Sequence, residues 1–567
     1  MIRTIFYIIL SAAIISGCKT KKEANPAVAP DNEFPADSGM VVSAHPDASR
    51  TGIKILKKGG NAVDAAVATE FALAVCYPGA GNLGGGGFML YREADGRTDF
   101  IDYREKAPAG AERDMYLDAM GNVIGGLSTE THLSSGVPGT VDGMINMHSK
   151  YGILSFRDVI QPAVDLARDG FPVTAGQAAD LNDNREIFVT RNLRPPAFVR
   201  DIPWKEGDTL RQPDLARTLE RIRDLGRDGF YAGTTARLIV REMKRGNGII
   251  TQKDLDQYAS VFRDPLSAEY RGCTIITAPP PSGGGVIILQ ILGMIEPYDL
   301  KGMGFHSWQS VHLIVEAARR AYADRAFFLG DPDFYNVPVN ELLGKDYLIK
   351  RMSSYNPDAS TPSDSIFHGS PLLSESEETT HYSVVDSKGN AVSATTTLNN
   401  TFGSGIVVDS AGFLMNNEMD DFSVKPGVPN MFGLTGSEAN AVSGGKRMLS
   451  SMSPVIVVRD GKLFLVAGSP GGATIPTSVL QVLVNVIDFG MEISEAVDTG
   501  RFHHQWLPDK IYTESGSLDP EVIEMLQGAG HAIEQRTSIG RVNAIRSSGG
   551  KMAPGADKRG RNAAAWY

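Results

Sequence analysis

Residues Glu375–Asn400 read ESEETTHYSVVDSKGNAVSATTTLNN. Three acids, Glu375, Glu377 and Glu378, stand before two threonines, Thr379 and Thr380. Two β-rich runs follow, HYSVVD and NAVSATTTL, joined by the turn-forming DSKGN. Upstream, residues 353–378 are polar and Ser-rich and read as an exposed loop. The sharpest break in the chain therefore falls between Glu378 and Thr379, where that loop feeds a strand that looks buried. A hydroxyl at the mouth of a strand, with no histidine or aspartate arranged beside it in sequence, asks what could activate it.

Working outward, strands continue after the hairpin in SPVIVVRDG and KLFLVAGS, and a helix follows in IPTSVLQVLVNVIDFG. On the other side, SAHPDASRTGIKILKKGGNAVDAAVATEFALAV reads as two helices. Pro46 fits the first turn of the first helix, Gly59-Gly60 stop it, and Asn61 caps the second. The second is apolar nearly all round, which predicts burial. GAGNLGGGGFMLYREADGRTDFIDYREKAP gives a tight turn and two strands joined at ADGR. HLIVEAARRAYADRAFFLGDPDF gives a long helix ending near Gly330 and Pro332. Helices, then strands, then helices predict an α+β layered sandwich of sheets between helical layers.

The chain has 567 residues, 42% hydrophobic and 21% charged, with a formal net charge of −11. That is globular material with ample core. The acidity argues against a nucleic-acid partner, which needs clustered Lys and Arg. At the start, Arg3 and the apolar TIFYIILSAAIIS form a signal too short to span a bilayer, for which ~20 apolar residues are needed. It ends ISGC, residues 15–18, which resembles a bacterial lipobox. That resemblance implies cleavage before Cys18, lipidation of its thiol and attachment of an exported periplasmic or cell-envelope protein to a membrane. The polar, Pro-containing segment that follows suits a flexible tether. An oxidising compartment permits a disulfide between Cys76 and Cys273, and their spacing does not decide it. Cys76 also reads as a small core residue. There is no zinc-type Cys/His grouping.

A threonine hydroxyl is a poor nucleophile until a base takes its proton. The sequence has no GxSxG elbow and no HExxH. Cutting the peptide bond before Thr379 would supply a base. The freed α-amine has an ordinary pKa of ~7.7–8.0, close to working pH, and it sits on the same residue as the hydroxyl, so little entropy is lost in bringing the two together.

TTHYSVVDSKGNAVSATTTLN, NNEMDDFS, LSSMSP and GSPGG resemble the small subunit of the γ-glutamyltranspeptidases, which are N-terminal nucleophile hydrolases. GNLGGGGFM, DYREKAP and AYADRAFFLGDPDF are similar to their large subunit. The resemblance runs from about residue 38 to 567. It implies an αββα sandwich and a precursor that cuts itself between Glu378 and Thr379, after a signal (1–17) and a lipidated tether (18–37). The large (38–378) and small (379–567) subunits would then form a heterodimer. Thr379 would take the γ-glutamyl group of glutathione or another γ-glutamyl amide as an ester, and pass it to water or to an amino acid or peptide. No metal or organic cofactor is implied.

The same resemblance distributes the remaining roles. Arg104, Ser450 and Ser451 would bind the α-carboxylate of the acyl group, the guanidinium suiting it as a fork. Asn399, Glu418 and Asp421 would bind its ammonium. Gly471 and Gly472 would form the oxyanion hole, and Thr397 would hold Thr379. Of Asp420 and Asp421, an extended chain presents one to a ligand, and Asp421 is the one that aligns. GNLGGGGFM lacks the Lys-Ser/Thr ending of a phosphate loop and reads as a structural turn. His503-His504 reads as structural. KPGVPNMFGLTG matches a lid over the pocket, with Phe432 where the family often has a tyrosine bonded to the asparagine that matches Asn399. The missing hydroxyl predicts a looser lid. Lys558 and Trp566 have no reading from sequence. Two alternatives remain: a cephalosporin or glutaryl acylase of the same superfamily, and a non-catalytic lipoprotein that binds γ-glutamyl compounds.

Overall fold

The protein is described from a computed structural model that covers residues 34–35, 38–366 and 379–567. The signal, Cys18, most of the tether and Glu378 lie outside the described residues.

The hairpin is central. Thr380–Val385 pairs antiparallel with Ala391–Thr397, with Thr380 opposite Thr396. Its turn is fixed by Asp386, whose Oδ1 accepts from the Lys388 N–H (2.9 Å) and the Asn390 N–H (3.0 Å). Met40–Ser43 and Gly86–Arg92 flank the hairpin. Ala563–Trp566, Thr98–Asp102 and Val261–Arg263 complete a seven-stranded sheet among the described residues. A second seven-stranded sheet runs Phe34–Pro35, Lys551–Ala556, Asn543–Ser548, Lys462–Gly468, Val455–Arg459, Cys273–Thr277 and Leu266–Tyr270. Each sheet takes strands from both sides of Thr379. A cut there would therefore leave both products bound into the same two sheets.

Side-chain alternation builds three cores from these strands. Met40, Val42, Phe88, Leu90, Ile276, Ile456, Val466 and Ile545 face one another between the sheets. Val41, Met89, Val384 and Val392 point the other way, onto a helical layer that includes Pro46–Lys57 and Ala62–Cys76. Ile275, Val455, Val457 and Leu465 face the opposite layer, which includes Gly283–Ile295, Trp308–Phe328 and Ile475–Ile487. The result is the expected αββα sandwich.

The helix Ala62–Cys76 is buried throughout and is closed at its start by a capping box. The Asn61 side chain accepts from the Val63 and Asp64 N–H groups, and Asp64 accepts from the Asn61 N–H. Cys76 and Cys273 are both free. They sit in the two outer cores on opposite sides of the sandwich, which rules out the disulfide that the compartment would permit. Trp566, unread from sequence, stands in the edge strand with its ring 4.2 Å from that of Phe34. Lys558 pairs with Asp498 at 2.5 Å.

Candidate active site

Thr379 sits at the open end of the hairpin, 5% exposed. Its hydroxyl donates to Thr397 Oγ1 at 3.4 Å, and Thr397 Oγ1 also accepts from the Asn399 N–H at 2.7 Å. The strand carrying Thr397 is gripped from behind by Asn82, which donates to Thr396 Oγ1 (3.1 Å) and to the Thr397 carbonyl (2.9 Å). Here the Gly-rich run has its physical reason. A Cβ at Gly85 would lie 2.1 Å from the Thr397 carbonyl oxygen, and one at Gly87 would lie 2.4 Å from that of Thr395. The run extends past a turn into the strand Gly86–Arg92, and its lack of side chains lets it approach the strand that carries Thr397.

Gly471 and Gly472, at φ +131° and +49°, turn the chain from Lys462–Gly468 into the helix Ile475–Ile487. Backbone N–H groups at such a turn and helix start are suited to a developing negative charge.

At the far end of the site, Arg104 is fully buried among carboxylates. Its Nη1 is 2.6 Å from Glu418 and 3.3 Å from Glu105, and its Nη2 pairs with Asp421. Burial pushes the carboxyls of Glu418, Asp421 and Glu105 above their ordinary range, Glu105 to about 7, against the pull of Arg104. Burial also works against the charge of Arg104, but Glu418, Glu105 and Asp421 together hold it firmly protonated. Three carboxyls share the paired guanidinium of Arg104 and the nearby charge of Arg325, one carboxyl more than the cations, so the cluster is suited to receiving another cation. Ser451 Oγ is buried and has no hydrogen-bond partner among the described residues. Ser450 is fixed by its backbone to Pro281 and Gly283, at 2.9 and 2.7 Å.

These groups meet around one small, partly open pocket. Arg104, Thr379, Thr397, Asn399, Glu418, Asp421, Phe432, Ser450, Ser451 and Gly472 line it. Every residue expected in the site contributes to this wall except Gly471, which lies immediately behind Gly472. Larger surface grooves, along Asn192–Phe198 and along Lys54–Trp566, lie elsewhere and contain none of these residues.

The sequence profile described as Gamma-glutamyltranspeptidase matches residues 48–567. The chain belongs to the γ-glutamyltranspeptidase family. It is 48% identical over 545 residues to the glutathione hydrolase proenzyme of Escherichia coli (strain K12), covering 94% of each chain. The crystal structure of the Helicobacter pylori γ-glutamyltranspeptidase matches with a TM-score of 0.56 at 44% identity, over 59% of this chain and 96% of that one. A cephalosporin acylase from Bacillus halodurans shares the fold, with a TM-score of 0.80 at 24% identity, over 96% of this chain and 99% of that one.

Within this family member, two expectations need correction. Asp420 and Asp421 do not alternate along an extended strand, because Glu418–Asp421 forms a 3₁₀ turn. Asp420 turns away, accepting from the Ser128 hydroxyl (2.8 Å) and the Met431 N–H (2.9 Å), so the choice of Asp421 stands for a different reason. The lid is also tied down more than a missing hydroxyl implies. The ring of Phe432 is 4% exposed and lies so close to Gly472 that a Cβ there would meet it at 2.7 Å. Asn430 donates to Asp421 at 3.1 Å, and Gln505 donates to the Phe432 carbonyl at 3.2 Å. Gln505 in turn pairs with His503 at 2.8 Å, and His503 with Thr477 at 2.7 Å. His503, which burial lowers to about 4 and so keeps neutral, thus braces the lid from the start of the helix that follows Gly472.

Sequence reasoning missed three contributors. Arg325, in the quoted AYADRAFFLGDPDF, is buried and, with Arg104, opposes the upward push of burial on Asp421, while burial lowers its own guanidinium to about 10. Met431 reaches Asn399, as described below. Glu70 lies under the hairpin that follows Thr379. Burial raises its carboxyl to about 7, and it faces the Thr396 and Tyr382 hydroxyls without a bond of good geometry to either. One group of potential metal ligands, His312, Glu316 and His531, occurs among the described residues. Its atoms are engaged: His312 bonds His531 (2.7 Å) and the Asn356 carbonyl (2.8 Å), and Glu316 is paired with Arg319 and Arg320.

Proposed function

We propose that this chain is a self-processing γ-glutamyltranspeptidase with glutathione hydrolase activity. The observation that carries the reading is the gathering of these side chains around one partly open pocket. It holds a hydroxyl nucleophile at one end and a guanidinium with surplus carboxylates at the other, which is the complement of an acyl group bearing both an α-carboxylate and an α-ammonium. The α-carboxylate takes Arg104, Ser450 and Ser451, and the ammonium takes Asn399, Glu418 and Asp421. A glutaryl group brings no ammonium and would leave those carboxyls uncompensated, which favours the γ-glutamyl reading over the acylase alternative.

Processing begins when the Thr379 hydroxyl attacks the Glu378 carbonyl; hydrolysis of the resulting ester frees the Thr379 amine. In turnover that amine takes the proton from Oγ as it attacks the γ-carbonyl. Gly471 and Gly472 donate to the oxyanion. The C–N bond breaks, and the proton passes to the leaving amine, which for glutathione is that of Cys-Gly. Water or an amino acid or peptide amine then attacks the γ-glutamyl ester and restores Thr379. The substrates are γ-glutamyl compounds and the acceptors are amines and water. The lipobox further supports a membrane-anchored, exported protein, with Cys18 as the lipidated residue.

Initial rates on γ-glutamyl-p-nitroanilide and glutaryl-p-nitroanilide test the reading. A strong preference for the first is expected; equal rates, or preference for the second, would favour the acylase.

A further inference from the structure

The tip of the lid touches the pocket through three successive residues. Asn430 bonds Asp421, the Met431 N–H bonds Asp420, and the ring of Phe432 lies on Gly472. The Met431 side chain makes a further contact. Its Sδ accepts from Asn399 Nδ2 at 3.6 Å, and Asn399 is bonded through its own backbone to Thr397, the partner of Thr379. Asn399 also donates to the Asn417 carbonyl at 3.0 Å. A thioether is a weak acceptor, so this contact holds the lid lightly. Met431 is half-buried, whereas Met419, Met448 and Met452 around the same site are at most 2% exposed.

We propose that Met431 is the latch of this lid and a site of oxidative modification that tightens it. The proposal rests on the reading of the pocket as the γ-glutamyl site. A peroxide transfers one oxygen to Sδ. The sulfur loses two electrons, the thioether becomes a sulfoxide, and the peroxide is reduced to water or an alcohol. The new S=O is a much better acceptor than the thioether. A hydrogen bond bent at that oxygen spans a nitrogen-to-sulfur separation of 3.6 Å, so Asn399 can be held without moving the lid. Oxidation then favours the closed lid; reduction by two thiols, which are oxidised to a disulfide while the oxygen leaves as water, restores the thioether and releases the lid.

Chymotrypsin cleavage after Phe432 reports lid opening independently of activity, because the residue is buried when the lid is closed and cleavage tracks the open population. Met431→Leu keeps the volume and removes the acceptor; Met431→Gln supplies a permanent carbonyl acceptor. At the bond after Phe432, Met431→Leu is expected to be cut about two- to threefold faster than wild type, and Met431→Gln no faster. Mild hydrogen peroxide, with the sulfoxide located by peptide mass, is expected to slow cleavage and γ-glutamyl turnover of wild type together and to leave Met431→Leu unchanged. Equal cleavage of wild type and Met431→Leu would overturn the latch. So would peroxide effects of the same size on both, or an unmodified Met431 when the exposed Met120 and Met525 are oxidised. Proteolysis behaving as expected in a protein without γ-glutamyl activity would instead refute the reading of the pocket.

Discussion

The two ends of the pocket handle polarity in opposite ways. At one end, Arg104 is ion-paired with the buried Glu105 and Glu418 and the part-buried Asp421. At the nucleophile end, Thr379, Thr397 and Gly472 offer hydroxyls and backbone, and the nearby carboxyl of Glu70 is pushed up towards neutrality by burial. The difference teaches where binding and chemistry are separated. In the proposed mechanism charge would recognise the acyl group at one end, while the other is kept free of fixed charge so that the developing oxyanion and the α-amine of Thr379 would dominate. Removing a group at the nucleophile end should therefore damage kcat, and removing one at the charged end should damage binding and folding.

The largest effect is expected for Thr379→Ala, which removes the proposed nucleophile of both reactions. Turnover should fall by about 10⁴-fold or more, with the protein still folded by circular dichroism. Next, Arg104→Met leaves Glu418 and Asp421 buried without their cation. A loss of about 10²- to 10³-fold in kcat/KM for γ-glutamyl amides is expected, with a melting temperature that recovers as the pH is lowered and the carboxyls take up protons. A loss confined to kcat would break the division between the ends.

Gly472→Ala places a methyl group 2.7 Å from the Phe432 ring at φ +49°. A fall of about 10²-fold in kcat is expected, while KM for the donor changes little. A dominant rise in KM would assign Gly472 to binding instead. Glu70→Gln tests the neutral end through stability. The folded chain raises the Glu70 carboxyl from 4.5 to about 7, so it holds that proton more tightly than the unfolded chain does. That contribution is fully present below about pH 4.5 and is lost as the pH rises through 7. The glutamine variant has no proton to lose. Relative to wild type, it should gain up to about 3 kcal/mol of stability between pH 4 and pH 8, measured by denaturant melts at both. A pH-independent difference would show that folding leaves the Glu70 carboxyl at its ordinary pKa. The smallest effect is expected for Phe432→Tyr, because Phe432 is already buried and the lid has other ties. Donor KM should change by less than about threefold.

Much of this was legible in the sequence, and for identifiable reasons. The hairpin, the buried helix after Asn61 and the long helix before Gly330 carry strong local patterns, and they appear as expected. The short strands Met40–Ser43 and Ala563–Trp566 give too little pattern to read. They exist because they pair with each other and with the hairpin across most of the chain. Arg104, Glu418, Asp421 and the two serines came from resemblance, and the fold gathers them around one cavity. Their local setting was less legible. Asp420 and Asp421 diverge through a 3₁₀ turn rather than by strand alternation, and Arg325, Met431 and Glu70 acquire meaning through neighbours distant in sequence. Asn82 looked like part of a glycine turn; its role behind Thr397 depends on a strand more than 300 residues away.

The central claim is that the chain cuts itself before Thr379 and then uses the freed amine as its base. Intact-mass analysis of purified active protein, beside Thr379→Ala, addresses it directly. The account predicts two chains in the wild type, the smaller with the mass of residues 379–567, and a single uncut, inactive chain in the variant. Full activity from an uncut chain, or a small chain beginning at any other residue, would contradict it.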